Sequence, residues 1–193
     1  WEQFKTPFLC FAGFSGVGKT TLVERLVTRF REEKIRVGYY KHDSHRFRMD
    51  TTGKDTARVR EAGAGIVAIN DSAHFGVLAD NDFKQLTITH ALERCDCILI
   101  EGYKQSPFNK VVFLDAEGKL PIPSDSKGIR AFIYQGKVPQ QFSGQDIPLF
   151  HRDDIENIFD FVKAHFKKCA SELHGAVFVG GESKRMGKPK FSL

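Results

Sequence analysis

The run Gly13-Phe-Ser-Gly-Val-Gly18-Lys19-Thr20 has the spacing G-x4-G-K-[ST], and each residue type in it has a task on a phosphate chain. Glycines let the backbone turn tightly with its N–H groups pointing inward, toward an anion. A helix beginning near Lys19 adds the positive end of its dipole at the same place. Lys19 would reach the β- and γ-phosphates, and Thr20 would offer its hydroxyl to Mg2+. The candidate nucleotide-binding set is therefore Gly13, Ser15, Gly16, Val17, Gly18, Lys19, Thr20 and Thr21. A glycine-rich turn with a chance Lys-Thr is the plainer alternative. The flanks argue against it, because an apolar strand precedes the run and a periodic helix follows it.

Such a loop also needs an acid at the end of a nearby strand. Cys97-Ile-Leu-Ile-Glu101-Gly102 supplies one. Glu101 is the candidate catalytic residue and, with Thr20, the candidate metal site. It would hold a magnesium-bound water or orient the attacking one. The competing description is a solvated carboxylate at a strand end.

Ligands of parallel sheets gather at the carboxyl ends of the strands. Lys41, His42, His45 and Asp50 leave such an end and are expected near the γ-phosphate. His42, Asp43 and His45 also resemble a metal cluster, although two histidines in a loop are more often hydrogen-bonded or solvated. Lys54, Arg58 and Arg60 offer cations to a substrate, and a solvated helix face explains them equally well. Cys95-x-Cys97 has metal-like spacing, but its apolar neighbours favour core packing.

The elements that would position these groups follow from periodicity. Apolar runs predict strands at Pro7–Phe14, Ile35–Lys41, Gly65–Asn70, Phe75–Ala79, Cys97–Ile100, Val111–Leu114 and Arg130–Tyr134. Leu22, Val23, Leu26, Val27 and Phe30 share one face of a helix over Thr20–Phe30. Further helices are expected over Lys54–Ala62, Asp82–Arg94 and from Asp153, where Glu156 would complete a capping box. Residues 117–148 hold four of the seven prolines and read as loop around one strand. Strands alternating with helices predict an α/β fold, a mainly parallel sheet covered on both faces in three layers.

Composition narrows the class. The chain has 193 residues, of which 41% are hydrophobic and 27% charged, ordinary values for a folded domain. A chain of this size buries about 70% of its unfolded surface and needs no disulfide staples. Four cysteines in largely apolar settings fit reduced thiols and a cytoplasmic location. There is no apolar run long enough for a membrane span and no signal-peptide pattern. Trp1 at the head is expected where a natural start has been lost. The net charge of +5 favours anionic partners. Basic residues are scattered, and neither zinc-finger spacing nor a helix-turn-helix signal occurs, so nucleic acid is not expected as a partner.

In order along the chain stand Gly13–Thr20, Lys41-His-Asp-Ser-His45, Asp50-Thr-Thr-Gly-Lys-Asp55 with Arg58 and Ala62-Gly63-Ala64, and Glu101-Gly-Tyr-Lys104. Together they resemble the MobB family, the P-loop GTP-binding adapters of molybdopterin-guanine dinucleotide biosynthesis. The resemblance covers about residues 6–168. It implies a homodimeric P-loop fold, GTP and Mg2+ as cofactors, and hydrolysis that is weak at best. It also implies molybdopterin or molybdenum cofactor, and a guanylyltransferase, as partners. Asp125, in Pro123-Ser124-Asp125, falls in a family segment near the guanine base, although no clear N-K-x-D is present.

The tail resembles a second family. Gly175-Ala-Val-Phe-Val-Gly180-Gly181-Glu-Ser-Lys-Arg185-Met-Gly-Lys-Pro-Lys190 is similar to the opening of the MobA guanylyltransferases. It departs from them at Phe178-Val179 and Glu182. The resemblance implies that Gly180, Gly181, Arg185 and Lys190 would face a nucleoside triphosphate. A basic terminus without structure is the alternative. The expected organisation is an adapter domain over 6–168, then the truncated start of a transferase domain over 171–193. Such a piece cannot transfer guanylyl groups alone. Two other functions use the same loop: a small-molecule kinase with 117–148 as its lid, and a metallochaperone GTPase with the histidine loop as its metal site.

Overall fold

The computed structural model describes residues 6–42, 54–80, 90–121, 127–142 and 146–171. Among these, the strands are β1 (Phe8–Ala12), β2 (Val37–Lys41), β3 (Ile66–Asn70), β4 (Phe75–Ala79), β5 (Cys97–Glu101), β6 (Lys110–Phe113), β7 (Ile129–Tyr134) and β8 (Leu149–His151). The helices are α1 (Lys19–Glu32), α2 (Asp55–Glu61) and α3 (Ile155–Ser171). A 3-10 turn spans Gln140–Phe142.

Six strands form one sheet in the order β2-β5-β1-β6-β7-β8, and every pairing in it is parallel. All residues of β5 and β6 are buried, as continuous apolar strands with two covered faces require. Side chains alternate between the faces. Leu9, Phe11, Leu99, Phe113 and Ile133 meet α1 and α3 on one of them. Phe30 joins the two helices there, its ring centroid 4.8 Å from Phe159 and 6.0 Å from Phe166. The opposite face carries Cys10, Ile98 and Ile100 under Tyr40, Leu92, Tyr103 and Phe108, and Val112, Leu114 and Phe132 against Phe142. Among the described residues this second layer is loop, the 3-10 turn and the helical residues 90–92. The rest of the expected helix over Asp82–Arg94 lies outside the described residues.

Three expectations change. The strands at 66–70 and 75–79 do not enter the parallel sheet; they pair antiparallel, Ile66 with Ala79 through Asn70 with Phe75. The cause is the short link, which Asp71 closes by accepting the N–H groups of Ala73 and His74. A parallel pair needs a crossover of about a dozen residues. Next, α3 begins at Ile155, so Asp153 and Glu156 form no capping box. Asn157 instead donates to the Asp154 carboxylate at 2.8 Å, and Glu156 accepts from Arg29 at 2.7 Å. Finally, β8 goes unrecognised in the sequence, because three residues are too few to show a period. It follows Pro148, whose carbonyl accepts the N–H of Phe132.

Candidate phosphate-binding site

The loop between β1 and α1 leaves the carboxyl end of a central strand and feeds directly into the helix. Gly13 is buried at the strand end, Ser15 and Gly16 are exposed, and Val17 packs partly onto the core. Gly18 stands at the capping position of α1 in the left-handed region, φ +87°, which glycine enters without steric cost. The cap has no side-chain hydrogen bond, and the first turn holds no acidic residue. Unpaired N–H groups and the positive end of the helix therefore face the loop with little to neutralise them.

Lys19 folds back over this loop, its Nζ donating to the Phe14 carbonyl at 2.6 Å. Burial holds its ammonium below the ordinary lysine range; Glu101 opposes that shift, and Lys104 and Lys41 reinforce it. Three lysines thus crowd one end of the loop, an arrangement that an anion would relieve. Thr20 and Thr21 open α1 and are exposed.

Glu101 ends β5 beside β1, and only 6% of its surface is exposed. Its Oε2 accepts two hydroxyls, from Thr20 at 2.9 Å and from Tyr39 at 3.0 Å. The register explains the second. Lys41 pairs with Glu101 and Tyr39 with Leu99, so Tyr39 lies two residues back on the same face. Burial, and next the nearby Glu101 charge, push the Tyr39 phenol up to about 12, so it stays a donor at neutral pH.

These donors suit magnesium. Mg2+ takes hard oxygen ligands, and the Thr20 hydroxyl and the Glu101 carboxylate are two such oxygens in direct contact. In such a site Thr20 and Glu101 would hold the ion, directly or through water.

The Glu101-Gly-Tyr-Lys segment closes the wall. Gly102 has φ +116°, and a Cβ there would stand 2.7 Å from the His42 carbonyl oxygen, so only glycine fits. His42 hydrogen-bonds through its N–H to the Glu101 carbonyl and stacks on Tyr103 at 4.3 Å between ring centroids. Lys104 places its Nζ 5.8 Å from the centroid of Phe14, in the phosphate loop itself. Lys110 is fully buried on β6, donating to the carbonyls of Lys104, at 3.0 Å, and Ser106. Burial lowers its basicity. It ties the Lys104 loop to the sheet.

The structure therefore brings together Gly13 to Thr20, Tyr39, Lys41, His42, Glu101 and Lys104. Asp50, His45, Asp125, Gly180, Gly181, Arg185 and Lys190 lie outside the described residues. Among the described residues no group of three His, Cys, Asp or Glu side chains could hold a metal. Burial pushes the Cys10 and Cys97 thiols up to about 12, which keeps them protonated and inert. Arg130, the one arginine of the supposed kinase lid, sits on β7 and donates to Asn109 at 2.9 Å. Sequence reasoning missed Tyr39 and Lys110. Strand alternation from Glu101 is the signal that would have found Tyr39; Lys110 looks like any strand-end lysine.

A parallel sheet with a glycine-rich loop and helix at its central strand, and an acid on the neighbouring strand, defines a P-loop NTPase-like α/β protein. The sequence profile described as "Molybdopterin guanine dinucleotide synthesis protein B" matches residues 8–135. The chain belongs to this family, MobB. It is similar to the probable molybdopterin-guanine dinucleotide biosynthesis adapter protein of Bacillus subtilis, 33% identical over 83% of this chain and 94% of that one. It is 30% identical to the corresponding adapter protein of Escherichia coli, over 84% and 94%. The crystal structure of Bacillus subtilis MobB superposes with a TM-score of 0.67 at 31% identity, covering 82% of this chain and 97% of that one. The MobB homologue of Bacillus stearothermophilus gives 0.62 at 22% identity, over 83% and 98%. That last likeness speaks for the fold alone.

Proposed function

We propose that this chain is a nucleotide-binding adapter of molybdopterin-guanine dinucleotide biosynthesis that binds GTP with Mg2+ and hydrolyses it slowly at most. The observation that carries the nucleotide reading is the Thr20–Glu101 pair beside an uncapped, acid-free helix start. The pathway rests on the family and on the names of the relatives. Glu101 is the group that would orient water. With two hydroxyls already donating to its Oε2, it is better placed to organise a metal than to take a proton.

The partners in this reading are GTP, the molybdopterin or molybdenum cofactor, and a guanylyltransferase domain. Residues 171–193, on their resemblance alone, would be the first strand and loop of that domain. The chain would act as a homodimer. Supporting this, the β3–β4 hairpin and α2 expose Ile66, Ile69, Phe75 and Val59, apolar area that a second copy would cover. Among the described residues no helix is long and apolar enough to cross a membrane. Calorimetric titration with GTP and ATP, each with and without Mg2+, tests the reading. Mg2+-dependent preference for GTP is expected, and equal or absent binding of the two would sink it.

A further inference from the structure

Arg152 follows β8, three strands away from β1, yet its guanidinium lies against the phosphate loop. A Cβ built on Gly18 would meet its Nη2 at 3.0 Å and its Cζ at 3.3 Å. One contact anchors its backbone at the strand ends and a second holds its side chain. The Arg152 N–H donates to the Tyr134 carbonyl at 2.9 Å, and Nη1 donates to Gln135 Oε1 at 2.8 Å. The close polar partner of this cation is thus a neutral amide. Among the described residues its carboxylate partner is the exposed Asp153, 3.9 Å from Nε.

This is an unfavourable place for a cation whose one carboxylate partner among the described residues is distant and exposed. The start of α1 is the positive end of a helix dipole, has no acid in its first turn, and already carries Lys19. A guanidinium fixed there is stabilised when an anion arrives between them, and its planar fork matches phosphate oxygens.

The sheet order says which phosphate. Glu101 reaches the loop from β5, on one side of β1, and Arg152 reaches it from the β6-β7-β8 side. In a P-loop the metal and its acid mark the β/γ end of the phosphate chain. The opposite side receives the end attached to the nucleoside. We infer that Arg152, positioned by Gln135, binds the phosphate next to the nucleoside, so that this pair marks where the nucleoside leaves the loop. The inference rests on the nucleotide reading above.

The test is titration of wild type, R152A, R152K and Q135A with GTP and with GDP in Mg2+, alongside melting temperatures. R152A should weaken both nucleotides by about tenfold or more, the loss typical of one charge-assisted hydrogen bond. The GTP-to-GDP ratio should stay as in wild type, because both carry the nucleoside-proximal phosphate. R152K keeps the charge without the fork and should fall between, as should Q135A; these two decide the matter if R152A does not fold. Unchanged affinities in all variants overturn the inference alone, and so does a loss confined to GTP. Wild-type protein that binds neither nucleotide overturns the nucleotide reading and this inference with it.

Discussion

The Thr20 hydroxyl donates to Glu101 Oε2 across 2.9 Å, joining the first turn of α1 to the end of β5. The two residues are 81 positions apart, and the parallel pairing of β1 with β5 is what brings them together. Because both atoms are hard oxygens, the same contact that braces the loop is available to a metal.

Replacing Glu101 by Gln keeps the shape and removes the charge. Nucleotide affinity without metal should stay within about twofold, while the gain from added Mg2+ shrinks by about tenfold, equivalent to about 1.4 kcal/mol. Paired titrations of GTP with Mg2+ and with EDTA read this directly. An unaltered Mg2+ gain in the variant would make Glu101 a purely structural carboxylate.

Lys19 makes the opposite case, a residue whose removal should cost binding but not stability. Burial depresses its pKa in the folded state. In the window just below 10.5 the unfolded chain therefore holds more protons, so stability rises with pH there, and at neutral pH the half-buried cation is a burden. Lys19→Met should lower GTP affinity by about 10- to 100-fold, given the worth of hydrogen bonds to charged groups. Its melting temperature without ligand should be equal to or above that of wild type. A clear fall in melting temperature would show that the Phe14 carbonyl contact matters more than the desolvated charge.

The central part of this arrangement is legible in the primary structure because it is local. A phosphate loop is written in eight consecutive residues, preceded by a short continuous apolar run and followed by a helix with a clear 3.6-residue period. Glu101 is legible for the same reason, as the acid that ends an apolar run. Arg152 and Tyr39 are not, since each is defined by what lies beside it in the sheet, from 62 positions away for Tyr39 and Glu101. Sheet order is invisible in a periodicity. The hairpin was half legible: both strands are apparent, but their antiparallel pairing depends on the Asp71 turn.

The end of α1 stores a small strain. Lys34 has φ +61°, with the Ile35 N–H bonded to the Phe30 carbonyl and the Lys34 N–H to that of Arg31. This is the Schellman arrangement, in which glycine normally fills the left-handed position. Lys34→Gly should therefore stabilise the fold by about 1 kcal/mol, net of glycine's greater freedom in the unfolded chain. Urea unfolding curves would show a higher midpoint at an unchanged slope. No increase would mean that the lysine side chain offsets the strain through contacts of its own.

The last prediction concerns alkaline pH. Tyr39 is 43% exposed, but its hydroxyl turns inward to Glu101. Its folded pKa is raised from 10.0 to about 12, by burial first and by the Glu101 charge next. A phenol raised in the folded state binds more protons folded than unfolded between those values. Its contribution is whole below pH 10 and is lost as pH climbs toward 12. Tyr39→Phe deletes both the hydrogen bond and this titration. The variant should be less stable than wild type at pH 8, and the gap should narrow between pH 10 and pH 12. Denaturation at stepped pH measures the gap, and absorbance at 295 nm should lose one late-titrating tyrosine. A gap that stays constant across that range would show that Tyr39 ionises freely and does not donate to Glu101.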